Sequence, residues 1–154
     1  MLADFAVISR VRARWLLAAL AGVMTVTACS DSPTGPTTPI GSYALASVGA
    51  DLVPATIFED EGYKFEWLRG TLEVEADSSF VAALVRLETV DNNESEYVDS
   101  LTGSWRFDTM GALQFTITSS GGSVIMPGSW LGRKITVLYT EEFMASSLTF
   151  ERTN

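Results

Sequence analysis

The chain contains no histidine and a single cysteine, Cys29, and its 10 Lys and Arg residues are outnumbered by 19 Asp and Glu. Without histidine there is no Ser-His-Asp or Cys-His arrangement, no His-ligated metal and no imidazole base. One cysteine excludes an internal disulfide. A net charge of -9 disfavours nucleic acid as a partner, because binding phosphate backbones requires clustered Lys and Arg to release counterions. What is plentiful is apolar: 47% of the 154 residues are hydrophobic and only 19% charged. That length suits one core and is short for two, so one compact domain is expected.

The uncharged stretch near the N-terminus, Trp15 to Val26, reads WLLAALAGVMTV. It is too short to span a bilayer, which takes about 20 apolar residues. Arg10, Arg12 and Arg14 precede it, giving the positive and apolar regions of a signal peptide. The segment closes with Val26-Thr27-Ala28-Cys29, which resembles the lipobox of bacterial lipoproteins. The resemblance implies a signal peptide over 1–28, cleavage before Cys29, and acyl chains on that cysteine as a membrane anchor. The plainer alternative is a secretory signal in which Cys29 is incidental. In Gram-negative sorting Asp directly after the cysteine favours the inner membrane; Ser30 stands there, so the resemblance implies an outer-membrane lipoprotein facing the periplasm or the cell surface. Residues 29–40 continue with Ser-Asp-Ser-Pro-Thr-Gly-Pro-Thr-Thr-Pro, too polar and Pro-rich for a core, and read as a tether reaching roughly 30 Å. Without residues 1–28 the chain carries 18 acidic and 7 basic side chains, a net of -11. With no polybasic patch, the lipid and not surface charge would hold it to the membrane.

From residue 41 to 154 period-2 alternation recurs, and no run carries the i, i+3, i+4, i+7 spacing of a confident helix. Leu113, Phe115 and Ile117 alternate with Gln114, Thr116 and Thr118; Leu72, Val74 and Ala76 with Thr71, Glu73 and Glu75; Leu101, Trp105 and Phe107 with Thr102, Ser104 and Arg106. These are half-buried strands. Turn residues at 76–79, 91–93, 108–111, 119–123 and 132–134 divide the chain into strands near 43–48, 64–75, 80–90, 97–107, 113–118, 123–130, 134–140 and 147–152. Short sequential connections predict an all-β fold, an antiparallel up-and-down barrel of about eight strands without exposed edges. A two-sheet sandwich is the alternative, although only 49–62 is long enough for a Greek-key crossover. Gly41-Ser42-Tyr43, Gly70-Thr71-Leu72, Gly103-Ser104-Trp105 and Gly128-Ser129-Trp130 place glycine two residues before a large apolar side chain, where it would bend a strand or let a ring lie on bare backbone.

The succession of lipobox, tether, a first strand with Leu45 and Val48, the Leu52-Val53-Pro54-Ala55 link, and alternating hairpins ending in Leu148-Thr149-Phe150-Glu151-Arg152 resembles small bacterial lipocalin-like lipoproteins over most of the mature chain. The resemblance implies a ligand-holding barrel. Lipocalins carry Gly-x-Trp on their first strand; here that strand has Gly41-Ser42-Tyr43. This departure, and the shortness of the domain, argue against a large cavity, and no binding residues are carried over.

Trp67, Trp105, Trp130 and Tyr139 are candidates to line a small apolar site, the alternative being that they fill the core. A barrel of eight strands is either filled or has room for one small ligand. Arg152 is placed to close one end over an indole. The carboxylates Glu59, Asp60, Glu61, Asp91, Glu94, Glu96 and Asp99 match no EF-hand spacing and read as solvated turns, so no metal or cofactor is expected. Glu141 and Glu142 would face opposite ways on a strand and so could not form a glycosidase pair, and no enzyme is expected. Phe80 to Val85 is apolar on both faces, which calls for cover over Val81 and Val85 from 52–58, from Phe143 and Met144, or from a protein partner. The expected function is binding: a small apolar ligand in the barrel mouth, or alternatively a structural or protein-interaction role in the envelope with a filled core.

Overall fold

The computed structural model describes residues 37–119, 122–141 and 144–153. Cys29, the signal segment and the tether as far as Pro36 lie outside them, as do Glu142 and Phe143; Thr37 to Ile40, read with the tether, are described, and Pro39 is buried against the barrel. Ten strands follow one another: β1 Gly41–Val48, β2 Asp51–Leu52, β3 Ala55–Asp60, β4 Tyr63–Val74, β5 Ser79–Val90, β6 Asn93–Phe107, β7 Leu113–Ser119, β8 Gly122–Leu131, β9 Lys134–Glu141 and β10 Met144–Arg152. Neighbours from β3 to β10 pair antiparallel in sequence order, and β1 pairs with both β10 and β4. The result is a closed up-and-down barrel of eight strands, β1 and β4 to β10, and not a sandwich. The 49–62 stretch is no crossover. It holds β2, which folds back on β1, and β3, which takes over the edge of β4 from Trp67 to Tyr63 where β1 has left it.

The turns form where the residue types allow them. Asp91 and Asn92 both have positive φ, 49° and 66°, joining Val90 to Asn93 as a two-residue hairpin whose twist matches the strands. The Asp77 carboxylate accepts the Ser79 N–H and hydroxyl, at 2.9 and 2.6 Å, which holds it below the usual carboxylate range. Asp108 does similar work, accepting the N–H groups of Met110 and Ala112, each at 2.8 Å.

Alternate residues of every barrel strand point inward and build one core around Tyr43, Trp67, Phe80, Leu84, Leu113, Phe115 and Ile135. Each such side chain contributes about 1.5–3 kcal/mol by leaving water. Phe80 and Phe115 meet edge to face at 5.0 Å. Their rings lie over glycine backbone: a Cβ on Gly103 would stand 2.9 Å from Phe80, and one on Gly128 3.5 Å from Phe115.

The two ends differ. At the end where β1 begins and β10 ends, Tyr43 donates to the Pro39 carbonyl at 2.7 Å, Pro39 itself is fully buried, and Arg152 lies 5.8 Å over the Tyr43 ring while donating to the Ile40 carbonyl. The ring under Arg152 is thus a phenol and not an indole, because the first strand supplies Tyr43 at that height. Burial raises the Tyr43 pKa, against the opposing influence of the Arg152 charge and the Trp130 indole. Trp105 and Trp130 close the same end; Trp105 meets Phe107 edge to face, Trp130 lies tilted to it, and the Trp105 indole donates to the Glu75 carbonyl at 2.9 Å.

The expected cover over β5 is not supplied by 52–58. That segment runs along the edge of β4, and Val81 is 48% exposed, while Val85 is 8% exposed. Arg69 stands opposite Val85 in the β4–β5 register and reaches Glu96 on β6 at 2.8 Å, so this ion pair crosses β5 beside Val85.

Candidate functional site at the barrel mouth

The interior is almost filled. Its central cavity is about 20 Å³, lined by Leu72, Phe80, Leu84, Phe115, Met126 and other apolar groups with Tyr139 at one side. That is close to the space one water needs, too little for an organic ligand without movement of the lining, which offers no polar group but Tyr139.

A larger space opens at the mouth, the end carrying the β5–β6 and β9–β10 turns. The hairpins β7–β8 and β9–β10 are each zipped along their whole length, but they join each other only from Gly128 to Leu131 and Lys134 to Val137. Both registers place the backbone nitrogen of Pro127 on the β9 side, opposite Leu138, and proline has no N–H to donate. Beyond that point the wall splits. The seam encloses about 200 Å³ between Leu101, Ile117, Val124, Ile125, Met126, Pro127, Leu138, Tyr139 and Thr140. Leu101, Met126 and Tyr139 also line the central cavity, so the two spaces share a wall.

On the other side the mouth is taller. β3 to β6 run on past the point where β6 leaves β7, at Gly103, and form a flap. On its inner face Arg86 sits 5.8 Å over Phe65 and 5.1 Å over Tyr97, and pairs with Glu88 at 2.9 Å and Asp99 at 3.1 Å. This group is part-buried, so its ion pairs are screened less than surface ones.

Of the four aromatic candidates, Trp67, Trp105, Trp130 and Tyr139, only Tyr139 lines the central cavity or the seam. Trp67 is fully buried, edge-on to Phe65 at 5.4 Å and to Tyr139 at 6.2 Å, one layer behind the seam. Trp105 and Trp130 belong to the closed end; all four face inward, but alternation does not tell height along a strand. The seam was not foreseen, although Pro127, a proline inside the strand read at 123–130, is a signal that could have found it. Asp99 does not join Glu94 and Glu96, for it faces inward to Arg86 while Glu96 reaches outward to Arg69. Asp60 instead accepts the Glu61 N–H at 2.7 Å, and no three Asp, Glu or Cys side chains converge on a metal position among the described residues. Comparison with protein-family models, with curated proteins and with solved structures finds no match to this chain.

Proposed function

We propose that the chain is an envelope lipoprotein, anchored through Cys29, whose lipocalin-like barrel binds one small apolar molecule or one hydrocarbon chain without catalysing a reaction. The observation that carries this reading is the apolar seam of about 200 Å³ beside Pro127. The volume is below the roughly 300 Å³ at which drug-sized sites begin, so the seam suits a narrow occupant. The Arg86 group on the facing flap gives such an occupant a polar boundary. The nearly filled interior favours a second reading, a structural or protein-interaction lipoprotein with a solid barrel.

Native mass spectrometry of the full chain, expressed in a Gram-negative host and released from lipid nanodiscs in the presence of dodecanol, separates the two. The binding reading predicts a mature chain beginning at acylated Cys29 with one added dodecanol, lost on denaturation. A bare mass that dodecanol leaves unchanged assigns the chain to the solid-barrel reading.

A further inference from the structure

We infer that the closed end of the barrel is a docking face for a lipid surface, holding the acidic mouth away from the membrane. Turn tips are ordinarily polar. At this end Met110, in the β6–β7 turn and 89% exposed, and Leu131, which leads from β8 into the β8–β9 turn and is 83% exposed, are the two most exposed large apolar side chains among the described residues. Phe107, itself 43% exposed, lies near both turns and bridges Trp105 and Trp130 at ring distances of 5.9 and 6.4 Å. The one carboxylate within the β6–β7 turn, Asp108, is turned back onto the N–H groups of Met110 and Ala112. Arg106, Arg133 and Lys134 flank the patch; Arg106 is held by Gln114, Arg133 donates to the Arg152 carbonyl at 3.1 Å, and Lys134 pairs with Glu151 at 2.6 Å. Protruding apolar tips with an aromatic ring between them and long basic side chains around them are a set that settles at a water–lipid boundary.

Two further observations select the membrane as occupant. The opposite end presents Glu59, Asp60, Glu61, Asp91, Glu94 and Glu96, all exposed, against Glu75 and Asp77 in the third turn of the closed end, so anionic headgroups repel the mouth more strongly; Leu52 is exposed at the mouth beside another acid, Asp51. The chain also enters the barrel at the closed end, where Pro39 is buried under Tyr43. Seven residues lie between Cys29 and Thr37, so the eight steps that join them reach at most about 29 Å. The inference rests on the lipid-anchor reading for this proximity, and on the surface itself for the orientation.

The test uses the full chain in nanodiscs of phosphatidylethanolamine and phosphatidylglycerol, with a nitroxide placed at Met110→Cys or Glu94→Cys. An acylated Cys29 has no free thiol, so each variant then carries one label. At 110 oxygen should relax the nitroxide more than a water-soluble nickel chelate does; at 94 the chelate should dominate. The same relaxant preference at both positions overturns the docking face, and so does a label at 110 shielded from both, which marks a protein contact. Labelling of the unsubstituted chain shows instead a free Cys29 and a failed anchor. In that case the face is judged by cosedimentation with vesicles of the same lipids: binding lost in Met110→Glu/Leu131→Glu upholds it, and binding absent or unaltered by the substitutions overturns it.

Discussion

Gly103→Ala should destabilise the barrel by roughly 3 kcal/mol, near the upper end of overpacking costs. The added methyl carbon would stand 2.0 Å from the Thr116 carbonyl oxygen and 2.9 Å from the Phe80 ring. Neither neighbour can yield. Thr116 is backbone of β7, fixed by the ladder that pairs Gly103 with Ile117, and Phe80 is wedged against Phe115. Gly128→Ala meets the Thr136 carbonyl at 2.9 Å and should cost less. Gly111→Ala meets nothing within 4 Å, and its cost of about 1 kcal/mol comes from a φ of 82° alone. Urea denaturation of the three variants should rank them in that order. A Gly103→Ala protein no less stable than Gly111→Ala would mean that β6 and β7 do not approach as described.

Trp67→Ala should cost about 3–5 kcal/mol, the range for removing a fully buried indole. A domain of ordinary stability has only ~5–15 kcal/mol in total, so this variant should be partly unfolded at physiological temperature. The ring ties β4 to β9 across the interior through Tyr139 and packs on Phe65 of its own strand, and no group in the filled core is placed to replace it. Trp105→Ala should cost clearly less, because that side chain is half-buried and loses one hydrogen bond, worth about 1 kcal/mol, to the Glu75 carbonyl. Thermal unfolding followed by circular dichroism would check the difference. Equal losses would place both indoles in one environment, contrary to the distinction between core and closed end.

The architecture was legible because three independent signals agree: alternation in β4 to β10, turn residues at regular intervals, and glycines where rings cross the interior. The short strands β2 and β3 were not, since Asp51-Leu52 and Ala55 to Asp60 carry no alternating pattern and pair only because β1 vacates the edge of β4. The start of β6 was missed for a related reason: Asn93 to Glu96 is polar on both faces, as a flap beyond the barrel permits. The candidate site was read by residue type and therefore only in part. Aromatic residues mark the interior, but whether Trp67 lies in its middle or Tyr139 at its mouth depends on register, which pairing across strands sets. Arg86 and Glu88 continue the inward alternation of Phe80, Ala82 and Leu84, so a charged group facing the mouth was written in β5, though its partner Asp99 comes from the neighbouring strand.

Binding at the seam beside Pro127, as proposed, depends on the open β8–β9 edge, and Pro127→Val should close that edge. Valine restores the N–H opposite Leu138, which should extend the β8–β9 ladder, add about 1 kcal/mol of stability and close the seam. Titration calorimetry with dodecanol should then show affinity reduced at least about tenfold relative to the unsubstituted chain, a change of about 1.4 kcal/mol. Undiminished dodecanol affinity in Pro127→Val would place any binding elsewhere and rule out the seam as the site.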